Sequence, residues 1–397
     1  MAEGGGRLEV LVLNPIAQAG LERLPAARYA IVRESKAPDV ILVRSEKMHG
    51  MKFADNLKAV GRAGAGVNNI PVDALSRRGV PVFNAPGANA NAVKELVLAG
   101  MLIASRNLAF ALDFVGRLEK EANPEKKIES EKKAFSGFEL AGRTLGVIGL
   151  GKIGSLVANS GIALGMDVLG FDPEITVEAA WSLPSQVRKA NSIDEVLKAG
   201  DFVTLHVPLV ERTRGLVNAR NMAQMRPGAV LLNFSRDGIV EDAAVLEALA
   251  AKRLAAYVTD FPTAALIGRR GVVGLPHLGA STREAEENSA VMVVDEVREY
   301  LEHGTLANAV NFPDARMPRE SPFRLAIANA NVPSMLARIS HAMGSRRINI
   351  HNMLNKSRGD TAYTLVDVDS PVPRPAIDEL RAIEGVLAVR YLPVEDR

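Results

Sequence analysis

Apolar residues in this chain gather in short blocks, at 8–13, 40–43 and 80–83, and again at 144–148, 168–171, 202–207, 229–234, 254–259 and 272–275. Most blocks are bounded by glycine, asparagine, aspartate or proline, and between them apolar positions recur at helical spacing, as at 93–105 and 242–251. Runs of this length read as buried strands, and strands alternating with helices predict doubly wound parallel α/β structure. The blocks before residue 90 suggest an α/β unit of their own. Residues 282–303 read as one long helix ending at Gly304, and 119–133, where acids and bases are mixed, as an exposed loop or frayed helix. Residues 312–322 carry three prolines and read as a linker. Beyond it, strand 324–329, helix 333–343, strands 348–355 and 361–369, helix 375–383 and strand 386–391 spell the ferredoxin-like order β-α-β-β-α-β.

At 397 residues the chain is long enough for two or three domains of about 150 residues. Its 47% hydrophobic and 24% charged residues are those of an ordinary globular protein. A formal charge of +2 gives no sign of a nucleic-acid or membrane-surface partner. Cysteine is absent, which removes disulfides, thiolate nucleophiles and Cys-zinc sites, and no metal is expected. The N-terminus lacks the basic region of a secretory signal and no apolar run is long enough to span a bilayer, so a cytoplasmic protein is expected. Trp181, the single tryptophan, is expected in the core or at an interface.

The apolar block at 144–148 changes the picture, because Gly149-Leu150-Gly151-Lys152-Ile153-Gly154 follows it directly and a helical pattern follows that. Gly149 permits a tight turn, Gly151 lets backbone amides approach a pyrophosphate, and Gly154 allows close helix–strand packing. The helix behind them offers its positive N-terminus to the phosphates. Asp172 ends the next strand, 23 residues beyond Gly149, against the ~20 expected of a carboxylate on the adenine ribose. A carboxylate there repels a 2′-phosphate, which predicts NAD rather than NADP.

Two further residues follow predicted strands, where a doubly wound sheet places its ligands. Arg236 lies in Asn233-Phe234-Ser235-Arg236 and His277 in Pro276-His277-Leu278-Gly279-Ala280. A guanidinium gives a planar fork for a carboxylate, and an imidazole, with an unperturbed pKa near ~6.5, can take and return a hydroxyl proton. Arg236 and His277 are therefore the candidate catalytic pair for hydride transfer from a 2-hydroxy acid.

These motifs, with Phe171-Asp172-Pro173 and His206-Val207-Pro208, resemble the D-2-hydroxyacid dehydrogenase family over nearly the whole chain. Val60-Gly61-Arg62-Ala63-Gly64-Ala65-Gly66-Val67-Asn68-Asn69-Ile70 and the C-terminal pattern resemble its phosphoglycerate-oxidising branch. The resemblance implies a Rossmann NAD domain (99–279) inserted in a flavodoxin-like substrate domain (1–98 and 280–311), then the linker 312–322 and an ACT domain (323–397). It implies oxidation of 3-phospho-D-glycerate to 3-phosphohydroxypyruvate with NAD, at the start of serine synthesis, in a homodimer or homotetramer. It also implies that His206, Val207, Pro208, Ser235, Asp260, His277 and Gly279 neighbour the cofactor along with the fingerprint residues. Arg62, Gly64, Ala65 and Gly66 join Arg236 as expected substrate residues, since glycine amides can converge on one anion and Arg62 can take a second. Asn329, Asn331 and Asn349 match positions that in related dehydrogenases hold L-serine at an interface between two ACT domains.

The chain also departs from the family. In Thr259-Asp260-Phe261-Pro262-Thr263-Ala264-Ala265, Ala264 stands where a glutamate usually pairs with the histidine. Asp260, Glu284, Glu286 or Glu287 is expected to replace it, or His277 to work alone. Asp237 replaces a usual glycine beside Arg236, and Ser334 one after Pro333. Two other functions stay open on these residues: a dehydrogenase for another acid such as 2-hydroxyglutarate, and an NAD(H)-sensing scaffold without turnover.

Overall fold

The computed structural model describes residues 6–393 and divides into two compact units, one running to Ala88 and resuming at Glu286, the other spanning Asn89–Ala285. The first unit opens with β1 (Leu8–Val12), β2 (Tyr29–Val32), β3 (Val40–Val43), β4 (Ala59–Arg62) and β5 (Val82–Asn84). They form a parallel sheet in the order β2-β1-β3-β4-β5, which is flavodoxin-like. All four residues of β3 are buried, as expected of a central parallel strand covered on both faces. The helix Arg283–His303 covers one face through Val293, Val294 and Val297. Gly61 makes this possible: a Cβ there would lie 2.9 Å from Leu42 and 3.0 Å from Val293.

The second unit holds β6 (Thr144–Ile148), β7 (Asp167–Phe171), β8 (Arg188–Lys189), β9 (Phe202–Leu205), β10 (Ala229–Asn233), β11 (Leu254–Thr259) and β12 (Val272–Gly274). Their order, β12-β11-β10-β9-β6-β7-β8, is that of a Rossmann sheet, and the strand order reverses between β6 and β9. The helix Ala90–Ser105 belongs whole to this unit, because Val93, Val97 and Met101 are buried in its core. The division between the units therefore falls before that helix, whereas the sequence suggested 98/99, and at 285/286 rather than 279/280. Residues 124–131 of the charged stretch form a helix, Pro124–Glu131, started by a proline in its first turn and flanked by short 3₁₀ turns. Trp181 is not in the core. It lies 86% exposed at the end of the short helix Val177–Trp181.

In the C-terminal part of the first unit, β13 (Phe323–Ala330), β14 (Ile350–Arg358), β15 (Thr361–Val368) and β16 (Val386–Pro393) form an antiparallel sheet in the order β14-β15-β13-β16. Two helices, Met335–Gly344 and Arg374–Ala382, cover one face through Ile339, Met343, Ile377 and Leu380, which pack on Leu325, Ile327, Val366 and Val368. The intervening residues Ala326, Ala328, Tyr363 and Leu365 turn the other way and join the core of the flavodoxin-like part. This sheet is thus covered on both faces. Residues 312–322 are held between the two sheets and are not a free tether: Phe312, Ala315 and Met317 are buried, and Ala315 bridges to Leu306. Arg324 and Asp367 form a fully buried ion pair (2.6 Å), and the guanidinium also donates to the His303, Met317 and Pro318 carbonyls.

Candidate active site

Gly149 follows β6 with φ +91°, and a Cβ there would lie 2.5 Å from the His206 carbonyl oxygen, so only glycine makes this turn. A Cβ on Gly154 would meet the Gly149 carbonyl oxygen at 1.9 Å, whereas one on Gly151 would meet nothing within 4 Å. The backbone at Gly151 therefore faces open space at the N-terminus of the helix Lys152–Ala163, as an approaching pyrophosphate requires. Asp172 follows β7, and its carboxylate accepts hydrogen bonds from the backbone N–H of Leu150 (2.8 Å) and of Glu174 (2.9 Å). A carboxylate has about four acceptor positions, so two remain for ribose hydroxyls. His206 shares a hydrogen bond with the Thr204 hydroxyl (3.0 Å), and burial pushes its imidazole down to about 3. It is neutral at physiological pH, which suits a wall residue and not an acid–base group. Val207 flanks the Gly149 turn. Ser235 donates its hydroxyl hydrogen to the Leu205 carbonyl, and Pro208 accepts from the Thr213 hydroxyl, so these two expected neighbours of the cofactor also brace their own loops.

Arg236 and His277 both stand beyond strand ends on the same edge of this sheet, and both are exposed. Arg236 is presented by a turn that Asn233 closes: its side-chain amide donates to the Arg236 carbonyl (2.9 Å) and its side-chain oxygen accepts from the Ser235 N–H (3.1 Å). Thr259 ties the ends of β10 and β11 together, donating to the Asn233 carbonyl (2.9 Å) and accepting from the Phe261 N–H (3.0 Å). Sequence reasoning assigned Asn233 and Thr259 no role. Their signal was polar side chains closing otherwise apolar blocks, since a buried polar group needs partners.

His277 sits at φ +36°, an uncommon conformation for a residue with a side chain. Its N–H donates to the Asp260 carbonyl (2.9 Å), and its ring lies on Phe261 with centroids 4.5 Å apart. No carboxylate hydrogen-bonds this imidazole among the described residues. Ala264 is exposed, Glu284 pairs with Arg283, and Glu286 pairs with Arg44 (2.5 Å). Asp260 is 2% exposed. Burial pushes its carboxyl up, against the opposing pull of the Gly279 N–H and of the neighbouring His277 and Arg236 side chains. The structure thus brings Arg236, Asp260, His277 and Gly279 into one electrostatic neighbourhood. Asp260 Oδ2 accepts from the Gly279 N–H (3.1 Å), but its buried Oδ1 has no partner. An amide donor from a nicotinamide fits that orphan, as open space over Gly151 fits a pyrophosphate. Asp237 is exposed and forms no ion pair with Arg236.

In the first unit, Arg62 ends β4 and its Nε donates to the Arg44 carbonyl (3.0 Å). Gly64 is at φ +149° beneath the Arg62 guanidinium, where a Cβ would lie 2.4 Å from Nη1. Its N–H is spent on the Arg62 carbonyl (2.8 Å), so Gly64 does not offer an amide to an anion as the sequence suggested. The Ala65 carbonyl accepts from the Asn84 side chain. Arg44, overlooked in the sequence, brings a second guanidinium to the same strand ends.

The ferredoxin-like part holds a cavity of about 230 Å³ lined by Asn329, Asn331, Val332, Ser334, Met335 and Asn355. Asn329 and Asn355 are joined through the Thr364 hydroxyl (3.2 and 2.8 Å). Asn349 does not line this cavity and donates to Asp369, whereas Asn355, which the sequence did not single out, does line it. Ser334 is at φ +65°, which explains why glycine is the easier residue there.

Comparison with known proteins gives three kinds of match. Residues 98–279 match the family model described as D-isomer specific 2-hydroxyacid dehydrogenase, NAD binding domain. D-3-phosphoglycerate dehydrogenase of Methanocaldococcus jannaschii is 36% identical over 299 residues, which is 73% of this chain but only 54% of that relative. The chain thus spans about half the length of that protein. D-3-phosphoglycerate dehydrogenase of Haemophilus influenzae is 32% identical over 86% of this chain and 83% of its own length. Among solved structures, NAD⁺-bound 3-phosphoglycerate dehydrogenase of Entamoeba histolytica matches with a TM-score of 0.60 at 24% identity, over 77% of this chain and 99% of that one. Among the described residues no single helix is long and apolar enough to cross a membrane.

Proposed function

The chain belongs to the D-2-hydroxyacid dehydrogenase family, and we propose that within it the protein oxidises 3-phospho-D-glycerate to 3-phosphohydroxypyruvate with NAD, the first step toward L-serine. The observation that carries this reading is the cluster of Arg236, His277 and Asp260 beyond the strand ends of a dinucleotide-binding sheet. Arg236 holds the substrate carboxylate through its planar fork. His277 takes the proton of the C2 hydroxyl as C2 becomes a ketone, and returns it in the reverse direction. NAD, when held by these residues, would supply the hydride acceptor for C2. Asp260, with its free buried oxygen, orients the carboxamide end of the cofactor, and Asp172 the adenine ribose. Arg62 takes the substrate phosphate through its guanidinium fork.

Absorbance of NADH during reduction of 3-phosphohydroxypyruvate tests the proposal directly. Turnover is expected, and Arg62→Ala is expected to raise KM for the phosphorylated acid by about 10- to 100-fold with kcat little changed, the loss of one charged contact. An unchanged KM would favour an acid without phosphate, such as 2-hydroxyglutarate. Zero turnover on any 2-oxo acid would favour an NAD(H)-sensing scaffold.

Two partners complete the proposal. The helix Leu108–Gly116 buries no residue and leaves Leu108, Leu112 and Val115 exposed along one side, an apolar face suited to a second copy of the chain in a homodimer, or in a homotetramer if the C-terminal sheets also pair. L-serine is the proposed occupant of the cavity at Asn329, Asn331 and Asn355, because amide side chains can donate to its carboxylate and accept from its ammonium. Light scattering that finds a monomer would end the first idea, and titration calorimetry without heat the second.

A further inference from the structure

The dinucleotide crevice carries an ion pair that neither substrate binding nor proton transfer uses. Glu174 lies two residues beyond Asp172, after β7, and Arg212 lies on the short turn Glu211–Thr213, after β9. β7 and β9 flank β6, so the pair joins the two loops on either side of the glycine turn, at the point where strand order reverses. The contact is bidentate: Arg212 Nη1 meets Glu174 Oε1, and Nη2 meets Oε2 at 2.6 Å. Both side chains are nearly two-thirds exposed. Such a pair contributes little to fold stability, so its placement calls for another explanation. Asp172 lies close enough for its charge to act on Arg212 as well: Glu174 first, and Asp172 behind it, push the guanidinium further up. The loop that meets the adenine ribose therefore has a guanidinium within reach, but one held by a carboxylate.

A guanidinium near this ribose is the group that accommodates a 2′-phosphate. We propose that the Glu174–Arg212 pair is a second determinant of coenzyme choice, in which Glu174 sequesters a guanidinium that would otherwise welcome NADP. Asp172 repels a 2′-phosphate directly, and Glu174 withholds its counter-ion. The inference rests on the dinucleotide reading of this crevice and goes beyond it by assigning specificity to a pair outside the fingerprint.

The test measures binding, without substrate, by the fluorescence of NADH and NADPH titrated into the full chain. Glu174→Gln is expected to tighten NADPH about tenfold, the worth of one charge-assisted contact, while NADH changes less than about twofold. Asp172→Asn combined with Glu174→Gln is expected to gain about another tenfold on the same scale. Adding Arg212→Ala to either variant should return NADPH to the affinity of its Glu174 parent, and the gain should shrink with added salt. A gain that survives Arg212→Ala, or no gain in Glu174→Gln, overturns the proposal while leaving NAD binding intact. A wild-type chain that binds neither coenzyme overturns the dinucleotide reading and this inference together. Since Glu174 and Arg212 are exposed, these two substitutions leave the fold in place for the comparison.

Discussion

Replacing His277 with asparagine is expected to lower kcat by about 10³-fold while coenzyme affinity stays within about twofold, the usual worth of a positioned acid–base group. Asparagine is the informative choice. His277 stands at φ +36°, and asparagine tolerates the left-handed region far better than most residues, so the variant removes the imidazole without forcing the loop to move. Its N–H keeps the bond to the Asp260 carbonyl that holds the backbone in place. What the variant loses is the proton acceptor and the ring that packs, tilted, against Phe261. His206 is the control: burial holds its imidazole down to about 3, so it stays uncharged at assay pH, and His206→Gln should keep whatever pH dependence kcat has between pH 5 and 9. A pH–rate profile measured on the three proteins would separate the two histidines. A His277→Asn enzyme within tenfold of wild type, or a profile that changes only in the His206 variant, would remove His277 from proton transfer.

Arg324→Ala is expected to cost about 3–5 kcal/mol, because it leaves the Asp367 carboxylate charged and buried with no counter-ion. Both side chains are 1% exposed or less, and the guanidinium also satisfies carbonyl oxygens at His303, Met317 and Pro318. Those carbonyls belong to the end of the long helix and to the segment between the two sheets, so one side chain holds three pieces of the first unit together. Urea unfolding followed by circular dichroism would report the loss as a lower midpoint. Arg324→Met with Asp367→Leu should recover part of it: the stranded charge is gone, but the carbonyls still lack a donor. A single variant that loses less than about 1 kcal/mol, the range of an exposed pair, would contradict this account.

The amino-acid sequence determined everything here that depends on neighbours along the chain. Alternating apolar blocks specify parallel strands and helices, because each pattern repeats within a few residues. The turn at Gly149, the open backbone at Gly151 and the crowding at Gly154 follow from spacing alone, as does the placing of Arg236 and His277 just past strand ends. Tertiary structure decided which surface covers which. Residues 312–322 read as a tether because prolines break helices and strands, yet Phe312 and Met317 are buried by the antiparallel sheet folding back over them. Trp181, expected in the core or at an interface, is not in the core. Asn355 joined Asn329 and Asn331 around one cavity because strand register sets which amides face it. Asp260 came to neighbour Arg236 through the pairing of β10 with β11, and Glu174 met Arg212 from 38 residues away. Periodicity reports that a face is apolar, or that a residue can ionise. The partner that covers the face or answers the charge comes from elsewhere in the chain, and only the folded arrangement selects it.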